Sequence, residues 1–181
     1  MADAGTTDQV GQPPEGGRME PIAVIDHVHQ SGVASIAVHA CSPERGEYLV
    51  ATGGDDQSMS VLLLHLDAHQ ARATLLTRAS VPLAHRAALT DVQWAPHGPF
   101  LFSTGADQRV ALWHWQVSTG EGVEESTLTL TFHSAYFVEV ADTSSIQVLS
   151  LSSEEKSYEY RVVVGGMGLQ CLRVCPSLPP Q

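Results

Sequence analysis

From Ile22 to Val174 the apolar residues come in short runs separated by clusters of Gly, Pro, Asp and Ser. The runs are VASIAV, GEYLVATGG, MSVLLLHL, ARATLLTRAS, LTDVQWAP, PFLFSTG, RVALWHW, STLTLTFH, AYFVEV, IQVLSLS, YRVVVGG and LQCLRV. In RVALWHW, Val110, Leu112 and His114 fall on one face and Ala111, Trp113 and Trp115 on the other, the period of two that marks a strand. No window holds an apolar i, i+3, i+4, i+7 stripe better than it holds alternation, so no helix is expected. FSTGADQRVALWHW reads as a hairpin: Pro99–Thr104 enters, Gly105–Gln108 turns and Arg109–Trp115 leaves. Many short strands spaced by about 8 to 12 residues predict an all-β sandwich, barrel or propeller. Residues 1–21, rich in Gly, Pro, Asp, Thr and Gln and without an apolar period, are expected to be disordered.

An internal repeat chooses among these architectures. ATGGDDQSMSVLLL, from Ala51, lies over FSTGADQRVALWHW at a constant offset of 51 residues, which sets Thr52 on Ser103, Gly54 on Gly105, Asp56 on Asp107, Gln57 on Gln108 and Leu62 on Trp113. Upstream, HQSGVASIAV from His29 lies over HRAALTDVQW from His85 at an offset of 56. A weaker third copy opens at His133 with HSAYFVEV and ends in VVVGGMGLQCLRV, where Gly-Gly-Met-Gly replaces the acidic turn. A period near 50 residues with a hydroxyl, an acid and a large apolar residue at fixed offsets predicts propeller blades.

The segment AHRAALTDVQWAPHGPFLFSTGADQRVALWHW resembles a WD40 repeat, and four positions carry the resemblance: His85, Ser103, Asp107 and Trp113. The resemblance implies that these side chains form a buried hydrogen-bonded chain. Elementary chemistry agrees, since an indole N–H only donates, a hydroxyl and a neutral imidazole do both, and a carboxylate only accepts. In the first unit His29, Thr52 and Asp56 match, but Leu62 stands where the tryptophan would be, so a partial network ending at the threonine is expected. In the third only His133 and the glycine-rich turn survive. The expected organisation is therefore a disordered segment over 1–21, blades over 22–83, 84–132 and 133–174, the last degenerate, and a tail over 175–181. Two blades and a degenerate third leave unpaired edges, so the chain is expected to be a fragment of a longer multi-propeller protein, its missing blades supplied by that longer chain or by a partner.

A more specific resemblance runs over residues 24–174. DHVHQSGV at Asp26–Val33, the DQR of STGADQRVALW, Phe132–His133 and GGMGL at Gly165–Leu169 are similar to the C-terminal part of the long WD-repeat protein that partners the methyltransferase of the tRNA wobble-nucleotide 2′-O-ribose. That resemblance implies a non-catalytic scaffold or regulatory subunit whose partner is a tRNA 2′-O-ribose methyltransferase, with tRNA engaged indirectly. A generic WD40 adaptor in signalling or ubiquitin-ligase complexes is the alternative, and a small hydrolase or metal enzyme using the histidines is a third reading.

Charge and composition narrow the partners. Nine Lys and Arg against twenty Asp and Glu give a net charge of −11, which disfavours direct binding of a polyphosphate. No apolar run approaches the roughly 18 residues of a membrane span, and the acidic N-terminus lacks the basic start and apolar centre of a signal peptide. Three cysteines, Cys41, Cys171 and Cys175, fit reduced thiols, and a cytoplasmic location is expected.

The remaining reactive residue types point to structure. His27-x-His29 places two imidazoles on one strand face, but no Cys or acid stands at matching spacing, so no metal is expected. Cys171 and Cys175 lack a second pair. His85, Ser103 and Asp107 are the residue types of a hydrolase triad, yet with a tryptophan completing the set a structural network is the better account. GGMG lacks the helix and lysine of a phosphate loop and reads as a hairpin turn. Glu121, Glu124, Glu125, Glu154 and Glu155 read as solvated loops. No catalytic residue and no cofactor are expected.

Overall fold

The computed structural model describes residues 21–119, 126–154 and 157–177. The expectation of disorder over 1–21 therefore falls almost wholly outside the described residues, as do Glu121, Glu124, Glu125 and Glu155 and the last four residues of the tail. Among the described residues there are eleven strands and no α-helix. They are β1 Val33–Ser42, β2 Glu47–Gly54, β3 Met59–Asp67, β4 Arg72–Val81, β5 Leu89–Trp94, β6 Phe100–Gly105, β7 Arg109–Thr119, β8 Ser126–Phe137, β9 Ser145–Glu154, β10 Ser157–Gly165 and β11 Leu169–Val174.

The strands form three antiparallel sheets in chain order: β1-β2-β3-β4, β5-β6-β7-β8 and β9-β10-β11. Sequential hairpins with their first strands adjacent make this a partial β-propeller, as the repeat predicts. The inner strands of the middle sheet contribute to cores on both faces. Along β6, Leu101 and Ser103 face the first sheet while Phe100 and Phe102 face the third, which explains why PFLFSTG is apolar without alternating. The first core joins Leu49, Val61 and Leu63 to Trp94, Leu101 and Trp113. The second joins Phe102 and Leu112 to Val148, Tyr160 and Val162.

The expected division between residues 132 and 133 falls inside β8, which pairs with β7 from Ser126 to Phe137. The cause is a register shift: Leu112 faces Ser134 but Trp113 faces Phe132, leaving His133 as the extra residue of a bulge. The bulge breaks alternation where the sequence divides into STLTLTFH and AYFVEV. Consequently His133 does not open a third unit. Its ring lies half-buried on β8, with Nδ1 3.0 Å from Ser134 Oγ and Nε2 3.0 Å from the Ser177 carbonyl. Counting from Gly105 and Gly165, which end β6 and β10, Ser103 falls on Val163, Asp107 on Met167 and Trp113 on Arg173, so the third sheet has no counterpart of the polar chain.

The innermost strands are tied across the sheets by side chains. Ser35 Oγ donates to Asp91 Oδ1 at 2.7 Å, and the Ile146 N–H donates to Asp91 Oδ2 at 2.9 Å. The Val148 N–H donates to Gln93 Oε1 at 2.6 Å, and Trp94 Nε1 donates to the Ala37 carbonyl at 3.0 Å. Three of these links satisfy a backbone N–H or carbonyl on an inner strand, and the Ser35–Asp91 link joins two side chains.

Candidate functional site

His29 and His85 each stand four residues before the first strand of their sheet, on the segment that crosses its end. Thr52 and Ser103 lie on the second strands, and Asp56 and Asp107 in the tight turns that follow. Gln57 and Gln108 occupy equivalent turn positions with left-handed φ of 67° and 58°. Their carbonyls accept from Ala84 N–H and Val138 N–H respectively, so each turn grips the segment leading to the next sheet. The glycine ending the second strand leaves room for the imidazole. A Cβ at Gly105 would lie 2.9 Å from His85 Nδ1, and one at Gly54 would collide with His29 Nδ1 and Asp56 Oδ1.

In the middle sheet the four expected residues meet. Trp113 Nε1 donates to Ser103 Oγ at 2.8 Å, His85 Nε2 lies 2.8 Å from the same oxygen, and His85 Nδ1 lies 2.9 Å from Asp107 Oδ1. The second Asp107 oxygen accepts the Arg86 N–H at 2.9 Å. The ends of this chain fix its direction: the indole can only donate and the carboxylate can only accept. With the imidazole neutral, the Ser103 hydroxyl donates to Nε2 and His85 carries its proton on Nδ1. Burial works to raise the Asp107 carboxyl, but hydrogen bonds from the Arg86 N–H and His85, joined by the charge of Arg109, outweigh it and hold Asp107 below the ordinary carboxylate range.

The first sheet closes its network differently. His29 Nε2 lies 2.8 Å from Thr52 Oγ1, while Nδ1 meets both Asp56 Oδ1 at 3.2 Å and Ser58 Oγ at 2.7 Å. Asp56 also accepts from Ser58 Oγ at 2.6 Å and from the Gln30 N–H at 2.7 Å. Burial opposes ionisation of Asp56 as well, and the Ser58 hydroxyl and the Gln30 N–H dominate the bonds that hold it far below the usual carboxylate range.

With no tryptophan at position 62, Thr52 Oγ1 turns to the Ser60 carbonyl at 3.4 Å. Arg78, on β4, then holds the histidine segment from outside, donating to the His27 and Val28 carbonyls at 3.1 and 3.0 Å and to Ser80 Oγ at 2.8 Å. Sequence reasoning missed Ser58 and Arg78. Ser58 falls on Arg109 in the repeat and so carries no shared signal, and Arg78 lies on an outer strand beyond the repeat.

These networks consume the chemistry they contain. Ser103 is fully buried, with its oxygen between an indole and an imidazole, so it presents no nucleophile to solvent. Among the described residues every buried side-chain nitrogen and oxygen has a hydrogen-bond partner. No three His, Cys, Asp or Glu among them are placed to hold a metal. His27 has a left-handed φ of 56°, and its carbonyl serves Arg78. Cys41, Cys171 and Cys175 are free thiols, and burial, followed by the charge of Glu47, pushes the Cys41 thiol up. No helix among the described residues is long and apolar enough to cross a membrane.

Residues 78–114 match the family described as WD domain, G-beta repeat. The matched span starts on β4 of the first sheet and runs through β5, β6 and β7 of the second, so one WD40 repeat straddles two sheets and carries His85, Ser103, Asp107 and Trp113 complete. No curated protein matches the chain. WD40 repeats are typically non-catalytic and mediate contacts between proteins, which makes a scaffold or adaptor role the function class this repeat supports.

Proposed function

We propose that this chain is a non-catalytic WD-repeat scaffold or regulatory subunit in the cytoplasm, supporting 2′-O-methylation of the tRNA wobble nucleotide by a partner methyltransferase. The observation that carries the scaffold reading is the closed hydrogen-bonded chain from Trp113 to Asp107: its histidine, serine and acid are spent on one another, leaving function to the surfaces. The strings DHVHQSGV and GGMGL support the tRNA assignment, and the charge of −11 favours a protein partner over direct contact with phosphate.

The free faces of the outer sheets fit a larger assembly. On the first sheet Ile36, Val38 and Leu75 are exposed, on the face equivalent to the one that the first sheet covers on the second. The third sheet is different: Glu159 bridges Arg161 at 2.7 Å and Arg173 at 2.9 Å on its free face. In this reading a further sheet, from a longer chain or a partner, covers Ile36 and Val38.

A generic adaptor role is favoured instead by the match itself, which is to the WD40 repeat at large. Affinity purification of the tagged chain from cells separates the two. Recovery of a tRNA ribose methyltransferase, with reduced wobble-nucleotide 2′-O-methylation on depletion, supports the first; recovery of a ligase or kinase complex without it supports the second.

A further inference from the structure

A groove of about 430 Å3 runs between the first two sheets, on the outer side of the His85 segment. Its volume falls within the roughly 300–1,000 Å3 of ligand-sized clefts. Unlike the free outer faces, it lies between sheets already packed together, so a neighbouring blade does not fill it.

The walls are chemically specific. The floor is small, because Ala111 and Ala135 face each other across β7 and β8. Phe132, 55% exposed, stands at one end, and Leu83, 76% exposed, lines the opposite wall from the segment between β4 and β5. Beyond Ala135 on the same face, Phe137 is 66% exposed and pairs across the ladder with Arg109. Three large apolar side chains exposed around a floor of alanines make a contact patch.

Arg86 and Arg109 also line the groove, and neither side chain makes an ion pair or a hydrogen bond among the described residues. Asp107 is the carboxylate there, and both its oxygens are engaged, by His85 Nδ1 and the Arg86 N–H. With His85 neutral the lining carries a net charge of +1, from two arginines and one aspartate, on a chain of −11. Since the chain has only nine Lys and Arg, two of them at one apolar groove with no ion pair among the described residues are a local inversion of its charge.

We infer that this groove docks a partner protein through a short acidic segment, with an aliphatic or aromatic side chain seated over Ala111 and Ala135 between Leu83 and Phe132, and a carboxylate on Arg86 and Arg109. Arginine and aromatic residues are the side chains that concentrate binding energy at interfaces. Arginine also receives a carboxylate in two-pronged fashion, and the repulsion from distant acids is screened beyond about 8 Å at physiological salt. The inference rests on the scaffold reading and gives it a surface.

The test is fluorescence anisotropy of the full chain against short fluorescein-labelled peptides carrying a central Leu-Phe pair between paired aspartates, with lysine-flanked versions as controls. Acid-flanked peptides bind, and binding weakens about ten-fold or more in Arg86→Glu/Arg109→Glu and in Leu83→Asp, the loss expected when a charged hydrogen bond or a buried anchor goes. Ile36→Asp, on the free face of the first sheet, leaves binding unchanged. Melting temperature reports folding, and Leu83→Asp, on an exposed residue, stands in if the double charge reversal unfolds the chain. Binding by neither peptide series, equal binding of both, or no effect of the groove variants overturns the inference. In parallel pull-downs, partners retained by the groove variants sink the groove while sparing the scaffold reading, and no partner for the unaltered chain sinks both.

Discussion

Leu62 stands directly across the first sheet from Arg78, at the place where the second sheet sets Trp113 across from Phe132. In the second sheet the rings of that pair meet edge to face at 5.4 Å, and the indole reaches inward to Ser103. In the first, the large apolar ring is gone and the guanidinium opposite it reaches to the backbone carbonyls of His27 and Val28. Two solutions hold the same histidine segment: an indole that pulls on the network from within, and an arginine that ties down the backbone from the rim. The difference decides how each unit fails.

Removing Arg78 should loosen the His29 segment without breaking the first core. Arg78→Ala loses two exposed bonds to carbonyls that water can then solvate, so its cost is small, about 1 kcal/mol. Its signature is local: amide exchange quickens at Gln30 and the residues before β1, while β2 and β3 stay protected. Arg78→Lys recovers little, because an ammonium cannot fork to two carbonyls and a hydroxyl at once. Exchange that is unchanged in both variants would show that the arginine does not hold the segment.

Trp113 should behave in the opposite way. Trp113→Ala empties the space between the first two sheets and strands Ser103, a loss of roughly 3 to 5 kcal/mol. Trp113→Phe keeps most of the apolar volume and removes only the donor, so it recovers the larger share. Asp107→Ala leaves His85 Nδ1 and the Arg86 N–H without their acceptor and costs about 1 to 3 kcal/mol. Urea unfolding of the three variants gives the order, and in a double-mutant cycle Trp113→Phe with Asp107→Ala costs less than the sum if the chain of bonds acts as a unit.

Much of this was legible in the sequence, and the gaps have physical causes. The constant offset of 51 residues sets Gly54 on Gly105 and Asp56 on Asp107 because both turns have the same geometry and the same close approach of histidine to glycine. The boundary inside β8 was not legible, because the bulge at His133 interrupts alternation within one strand and imitates a turn. Arg78 was hidden for a related reason: outer strands meet less of the core, so their residues vary between units and leave no repeat to read. Asp91 carried no signal either. It falls on Ser35 in the repeat, and only the packing of three inner strands reveals that one residue serves all of them.

The two turn acids predict an acid limit to stability. Both Asp56 and Asp107 are held below their ordinary value in the folded chain, so the stability they add is fully present above the unfolded value, about 3.9, and is lost as pH falls through their depressed folded values. Melting temperature should therefore fall below about pH 4. In Asp107→Asn the acid limb becomes shallower, since one of the two titrating groups is gone, while the melting temperature at neutral pH is lower than that of the unaltered chain. An acid limb of the same steepness in Asp56→Asn and Asp107→Asn would mean that other carboxylates set it.

Asp91 makes the strongest prediction about cooperativity. Its carboxylate accepts Ser35 Oγ from the first sheet and the Ile146 N–H from the third while sitting on the innermost strand of the second, so one side chain couples all three. Asp91→Ala leaves a backbone donor on β9 and a hydroxyl on β1 without their acceptor, a cost of about 1 to 3 kcal/mol. The loss is unevenly shared. The first two sheets remain joined by the Trp94 bond to Ala37 and by the larger side chains of their common core, whereas the third keeps Gln93 to Val148 as its remaining side-chain tie at the inner strand. Two probes separate these halves: tryptophan fluorescence reports Trp94, Trp113 and Trp115, all in or against the core of the first two sheets, and the tyrosine part of the near-ultraviolet dichroism includes Tyr158 and Tyr160, stacked at 6.2 Å on the third. In the unaltered chain the two unfolding curves coincide. In Asp91→Ala the tyrosine signal is lost at lower urea than the tryptophan signal, and Asp91→Asn, which keeps an acceptor for one of the two donors, narrows the gap. Coincident curves in Asp91→Ala would show that the Asp91 carboxylate is not what couples the third sheet to the second.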